Sequence, residues 1–494
     1  MDDDDVSYPS IEPSQFDLIV VGTGLPESVV AASSSANGKS VLHLDPNSFY
    51  GGHFSSLCLD DFTSFLTSQQ QQLQSGDGGS DFISVYLKHR CLYTDVEISS
   101  PGSSEDMGDS RKFNLDLSGP RVMFCADSAV ELMLKSGASH HVEFKSIDAS
   151  FIYSEEDGKL YTVPDSRSAI FKDRTLGLME KNQLMRIILY AIAMADYDQE
   201  SPELCKNLVT TKDGIDSLAI YHSSVGRFTN ALGALIYPIY GQGELPQAFC
   251  RCAAVKGALY VSRPSASTTN TGASYTIHVN KYAVIKVHPH LPLESRQYKG
   301  LRLASGQDVF SDKLVTGPSF IVPSPSVSSP LSDLQQETSD GSIVKDVDGQ
   351  VARAVCITRG SIVSGVSNLL VIFPPRYLFC TLSALCDDDA QGKESVHAAI
   401  KALLTFSISE SHDTSASEQN ESVEPTTLLW SAIYIQPLTK FSFDTISSCP
   451  MPDGNLDYRN VLESTEKLFH KIYPDDEFMP ERNTTKDIAD EQEP

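Results

Sequence analysis

Residues 16–52, FDLIVVGTGLPESVVAASSSANGKSVLHLDPNSFYGG, constrain the fold of this chain more than any other stretch. Phe16 to Val21 is a short apolar run, the pattern of a strand buried on both faces of a parallel sheet. Gly22-Thr23-Gly24 follows it directly. Ser28 to Ala36 is small and apolar and reads as a helix, which Asn37-Gly38 closes as a C-terminal glycine does. Val41 to Leu44 is a second strand, ending on Asp45. Strand, glycine turn, helix and strand make the opening βαβ unit of a dinucleotide-binding fold. Asp45 comes 21 residues after Gly24, near the place of a ribose-binding acid.

The turn departs from a working fingerprint. G-x-G-x-x-G is here Gly22-x-Gly24-x-x-Glu27, with Pro26 inside it. The third glycine of that motif lets helix and strand pack closely, and Glu27 has bulk. Glu27 also sets a carboxylate at the helix N-terminus, where a pyrophosphate would otherwise sit. Two anions would compete for one helix dipole, so the scaffold is expected without a nucleotide and no cofactor is expected. Gly38-Lys39-Ser40 looks like the end of a phosphate-binding loop. Ser33 stands where that loop needs its first glycine, and Lys39 leads into a strand rather than a helix.

Composition bounds the rest. A chain of 494 residues can bury a sizeable core and is long enough for two domains. Its net charge of -27 and pI near 4.7 argue against nucleic acid and anionic membrane surfaces and favour basic partners. The acidic start, MDDDDVSYPS, is not the pattern of a signal peptide. The longest apolar helical candidate, Ile187 to Ala195, is too short for a membrane span. Ten cysteines lack zinc spacing, and Cys250-x-Cys252 reads as two small core residues. A reduced, cytosolic protein without a metal site is expected.

Taken in order, Phe54 to Gln74 reads as a helix, and 75–80 and 99–110 read as polar loops. Phe113 to Leu117 alternates like a strand. Ser128-x-x-Glu131 is a capping box for a helix that Gly137 closes. Glu143 to Val163 reads as strands around an Asp157-Gly158 hairpin turn. From Ser166 to Tyr197 the pattern is helical, with Leu178, Met185, Ile188 and Ile192 on one face, either a packing stripe or an apolar ligand pocket. Gly241 to Gln247 is a tight turn that opens a Cys-rich helix to Val255 and then a strand, Ala258 to Ser262. Residues 265–298 are irregular. Leu301 to Val315 is a hairpin and Ser319 to Ser342 a Ser/Pro-rich loop. Ala352–Thr358, Leu369–Phe373 and Leu428–Ile435 read as strands, Ser395–Leu404 and Asn460–Ile472 as helices. The acidic tail from Pro474 is expected to be disordered. No G-x-S-x-G, H-E-x-x-H or EF-hand pattern occurs, so no catalytic residues are expected.

Three blocks are similar to a known family: Val21–Ser28 (VGTGLPES), Val41–Gly52 (VLHLDPNSFYGG) and Tyr237–Tyr260 (YPIYGQGELPQAFCRCAAVKGALY). Through them the chain resembles the Rab GDP-dissociation inhibitor, Rab escort protein and choroideremia protein superfamily, from about Phe16 to Pro474. LPES in place of the inhibitors' LTE looks like the escort branch. So do Val163–Arg186, with VP-x-SR and MEKNQLM, then Leu428-Leu429-Trp430 and Pro474–Phe478.

The resemblance implies an α/β, flavoprotein-like (Rossmann-type) large domain with a β-sheet subdomain, at 16–165 and 237–473. It implies a small, shortened helical domain at 166–236 and acidic tails at 1–15 and 474–494. The function implied is that of a binding protein, an accessory subunit rather than an enzyme. It would hold GDP-bound Rab GTPases with their basic tails and present them to Rab geranylgeranyl transferase. It would then shield the geranylgeranyl lipid and deliver the Rab from the cytosol through transient membrane contact; the nucleus is a further possible location. Residue by residue, the family's Rab-binding positions carry over to Tyr50, Glu244, Arg251, Leu259 and Val261, and Arg111 falls in its mobile Rab-touching loop. Leu178, Met185, Ile188 and Ile192 fall on the lipid and transferase side. After Met185-Arg186 the family adds helical turns that this chain lacks, and 265–296 match poorly, so Rab binding is expected to survive better than lipid shielding. An inhibitor that recycles prenylated Rabs and, in another class, an FAD-dependent oxidoreductase are the alternatives.

Overall fold

The computed structural model describes residues 10–480 apart from 73–84, 164–185, 196–207, 263–283, 286–299, 322–346, 414–425 and several shorter stretches. Its opening unit is β1 (Gln15–Val21), α1 (Leu25–Ala36) and β2 (Val41–Asp45), with the two strands parallel. Much later in the chain come α2 (Glu244–Val255), β3 (Leu259–Ser262), β4 (Asp308–Thr316), β5 (Ile446–Ser448) and α3 (Arg459–Ile472). The strands run β3-β2-β1-β4 in parallel, and β5 adds to the C-terminal half of β4. The N-terminal half of β4 pairs on the same side with antiparallel Gly300–Arg302, which is the expected hairpin.

Both faces of this sheet are covered, which is why its strands read as unbroken apolar runs. Leu18, Val20 and Val41 face α1, α2 and α3, while Ile19, Val21, Leu42 and Leu44 face the opposite core. α1 is buried from Leu25 to Ser35. Its small residues Ala31, Ala32, Ser33 and Ser34 let α2 and α3 pack closely on it, and a larger side chain there would hold them apart.

A second, mostly antiparallel sheet carries eight strands among the described residues, with its long strands Val347–Arg359 and Thr427–Thr439 paired near one edge and helix Asp389–Asp413 against it. Two buried arginines join it to the rest. Arg353 donates to Gln436 Oε1 (2.6 Å), to Gly119 O (2.8 Å) and Ser383 Oγ (2.6 Å), and to Asp453 O (2.8 Å). Arg121 reaches the same carbonyl of Asp453 (2.7 Å) and that of Asp457 (2.6 Å).

Several elements differ from the sequence reading for local reasons. The helix expected from Phe54 starts at Leu59, because Ser56–Leu57 pairs with Leu115–Asp116. That pairing is also all that forms of the strand expected over 113–117. Asp127, not Ser128, is the N-cap of the helix that Gly137 closes, and Glu131 pairs with Arg227 (2.6 Å) instead of completing a capping box. The hairpin at Gly158 forms between Ala149–Ser154 and Lys159–Thr162. Residues 474–480 are ordered, contrary to expectation. They fold back on α1 through Lys39–Asp476 (2.9 Å), Asn37 Nδ2 to Glu477 O (2.9 Å) and Met479 N to Ser33 Oγ (3.0 Å), with Met479 buried. The N-terminal tail is likewise tied down at Ile11, which exchanges two hydrogen bonds with Gln307.

In the helical stripe, Leu178 and Met185 lie outside the described residues. Ile187–Ile192 forms a π-helical turn, with Ala193 N bonded to Ile188 O (2.8 Å). The wider turn aligns Ile187 with Ile192 and leaves Ile188 half-buried. Ile187, Tyr190, Ala191 and Ile192 pack with Ile152 and Ile372 of the second sheet and with Tyr221 of helix Thr211–Ser224. Ile192 is therefore a core side chain. The boundary expected between 236 and 237 falls inside strand Leu235–Pro238, which pairs with Met123–Phe124 and Phe144–Ser146.

Candidate partner-binding platform

The glycine turn after β1 is filled by its own side chains. Glu27 is buried, and its carboxyl folds back between two glycines. A Cβ on Gly24 would lie 2.3 Å from Oε2, and one on Gly317 would lie 2.8 Å from Oε1. Oε2 has no hydrogen-bond partner among the described residues. Burial pushes Glu27 up to about 7. Asp45, at the place of a ribose acid, is buried and already engaged. Its Oδ2 accepts from Thr23 Oγ1, and its Oδ1 accepts from Asn47 N (2.9 Å) and Asn47 Nδ2 (3.2 Å). Burial pushes Asp45 up to about 6. The cavity beside this turn is about 30 Å³, room for about two waters, whereas cofactor pockets run to several hundred Å³. A flavin or nicotinamide dinucleotide does not fit these residues: carboxylate, volume and ribose acid all oppose it.

The expected partner-binding residues gather around the end of the sheet that β3 forms. Tyr50, 38% exposed, stacks on Tyr260 with ring centroids 5.1 Å apart and planes 13° apart. Tyr260 in turn meets His43 edge-on. Burial drops His43 to about 4, so this stack rests on a neutral imidazole. Register places Leu259 beside Leu42 and Val261 beside Leu44, with Tyr260 beside His43. Leu259 and Val261 therefore face away from Tyr50, and a partner touching all three must straddle the strand edge. Leu259 is 36% exposed, and Val261 is half-buried against the core.

Glu244 and Arg251 stand on α2, which leads into that strand. Glu244 opens the helix, accepts from Tyr240 N (3.1 Å), and is raised by burial. Arg251 is exposed about two turns later, with Gln247 and Val255 on the same face. Arg111 lies elsewhere, on an exposed 3-10 turn, Ser110–Lys112, capped by Asp109. Exposed Tyr240 and Val255 flank the expected set and were missed by sequence reading. Their signal was an aromatic residue in the turn before an amphipathic helix and an aliphatic residue at its polar C-terminal end.

One further side chain holds the platform together. Asp116 is buried and accepts from Ser56 Oγ (2.6 Å), Gln242 N (3.1 Å) and the Tyr237 hydroxyl. Ser56 Oγ also accepts from Gly243 N (2.9 Å). The approach is so close that a Cβ on Gly241 would lie 2.3 Å from Ser56 Oγ. The two glycine-rich blocks, 190 residues apart in sequence, thus share one carboxylate.

Fold and site together define a Rossmann-type scaffold whose nucleotide turn is closed and whose sheet edge is open. The chain belongs to the GDP dissociation inhibitor family, whose pattern matches residues 12–88, 75–219 and 209–277. It is 44% identical over 570 aligned positions to Rab escort protein 1 of Arabidopsis thaliana, covering 98% of this chain and 97% of that protein. It is 25% identical to Rab proteins geranylgeranyltransferase component A of Drosophila melanogaster, covering 97% and 92%. The crystal structure of Rab GDI from Plasmodium falciparum has the same fold, with a TM-score of 0.58 at 15% identity, over 95% of this chain and 99% of that one.

Proposed function

We propose that this chain is a Rab escort. It holds GDP-bound Rab GTPases and presents them, as a non-catalytic subunit, to Rab geranylgeranyl transferase. The observation that carries this reading is the 44% identity over nearly the full length of a Rab escort protein. Tyr50 and Arg251 are residue types that anchor interfaces. A net charge of -27 suits the basic tails of prenylatable Rabs. The protein works from the cytosol and meets membranes only on delivery; among the described residues no helix is long and apolar enough to cross one.

Lipid shielding is the weaker half of the function. The alignment to the Arabidopsis escort runs over 570 positions, more than the 494 residues here. The relative therefore carries residues without counterpart in this chain. The test is in vitro prenylation of an unprenylated Rab by purified transferase, with and without this protein. An escort makes the reaction proceed, whereas an inhibitor binds only the product. Arg251→Ala is expected to weaken Rab·GDP binding by ~1–3 kcal/mol in calorimetry. No stimulation of prenylation and no loss on Arg251→Ala would remove the escort reading and the platform together.

A further inference from the structure

The turn that closes the nucleotide site also fastens the loop that carries Tyr50. Thr23 Oγ1 accepts the backbone N–H of Gly51 (3.0 Å) and donates its own proton to Asp45 Oδ2. Asp45 Oδ1 takes the backbone and side-chain N–H groups of Asn47. Tyr50 lies between these two fastened points, Asn47 and Gly51. Thr23 and Asp45 are fully buried. Gly51 has a φ of +96° and its Cβ position would meet Ser55 Cα at 2.9 Å, so the loop has one way to leave the bracket. The ring of Tyr50 is then delivered flat onto Tyr260.

We infer that Thr23 and Asp45 are positioning residues for Rab binding, and that the pair standing at the turn and the ribose position now brackets the Tyr50 loop. Neither touches the partner; both act through Tyr50. The inference rests on Tyr50 being a Rab contact, so its test must separate the two claims.

The experiment is titration of Rab loaded with a fluorescent GDP analogue against wild type, Thr23→Val, Thr23→Ser, Tyr50→Ala and the Thr23→Val/Tyr50→Ala pair. Thr23→Val keeps the shape and removes the hydroxyl. It is expected to weaken binding about tenfold, the worth of one well-placed hydrogen bond with buried partners. Thr23→Ser restores the hydroxyl and is expected to bind within about twofold of wild type. In the Tyr50→Ala background Thr23→Val is expected to have no further effect, because a residue acting only through Tyr50 has nothing left to position. An equal loss in both backgrounds would mean a general structural role and would overturn the inference, as would a Thr23→Val protein that binds like wild type while Tyr50→Ala binds weakly. Tyr50→Ala binding like wild type removes the contact itself, and the bracket with it. Should Thr23→Val fail to fold, Asn47→Ala, at the half-exposed end of the bracket, carries the same comparison with an expected two- to threefold loss that vanishes in Tyr50→Ala.

Discussion

Replacing Glu27 by glutamine isolates what the carboxylate in the closed turn costs the fold. Burial lifts Glu27 from 4.5 to about 7; its own backbone N–H works against the rise and Asp45 adds to it. A folded-state value above the unfolded one means that the native protein holds this proton more tightly. The stability it carries is then fully present below about 4.5, falls as pH rises, and is lost above about 7. The gap between those values corresponds to about 3 kcal/mol missing at pH 8. Glutamine keeps the shape and never ionises. Glu27→Gln is therefore expected to be more stable than wild type by about 3 kcal/mol at pH 8 and nearly equal to it at pH 4.5. Urea unfolding of both proteins at the two pH values measures this, and titrating groups that are not coupled to Glu27 cancel in each comparison. A difference that does not change with pH would refute the reasoning, because the carboxyl would then titrate in the fold as it does in the open chain.

Gly241→Ala is expected to cost about 3 kcal/mol of stability and most of the Rab affinity, since the turn has a φ of +96° and no room beside Ser56 and Asp116. Thermal unfolding and the GDP-analogue titration read the two losses. Arg353→Met is expected to lower stability by about 3–5 kcal/mol in urea, because four hydrogen bonds are lost at once: Gly119 O keeps Ser383 Oγ and Asp453 O keeps Arg121, but the buried Gln436 Oε1 and Ser383 Oγ lose the donor they had.

The sequence made the nucleotide-fold core legible because everything needed for it is local. β1 and β2 are buried on both faces, so composition alone marks them as strands. The conflict between Glu27 and a pyrophosphate is a matter of one helix end. The edge strand, α2 and the hairpin into β4 were legible for the same reason. What stayed hidden depends on partners far along the chain. Asp116 reads as an ordinary strand aspartate, and only folding brings Ser56, Tyr237 and Gln242 to it. The segment 474–480 reads as a polar tail, and only the small surface of α1 gives Met479 a place to bury. The π-helical turn at Ile187–Ile192 also escaped a 3.6-residue pattern, because its packing on the second sheet, not its own sequence, sets the period.

The same contrast explains how a scaffold of this kind can serve binding. A nucleotide fold keeps the turn after its first strand open so that backbone N–H groups can meet phosphate. Here Glu27 turns its carboxyl into that space, and its own N–H partly offsets the cost of burying it. Thr23 and Asp45 point their remaining hydrogen-bonding capacity outward to Asn47 and Gly51. Groups that would have held a small molecule instead hold a loop of the chain itself. A loop tied at both ends loses little further entropy when a partner settles on it. With Tyr50 as a Rab contact, as proposed, that is the physical gain from closing the site: the freedom of the Tyr50 loop is given up on folding, once, rather than each time a partner binds.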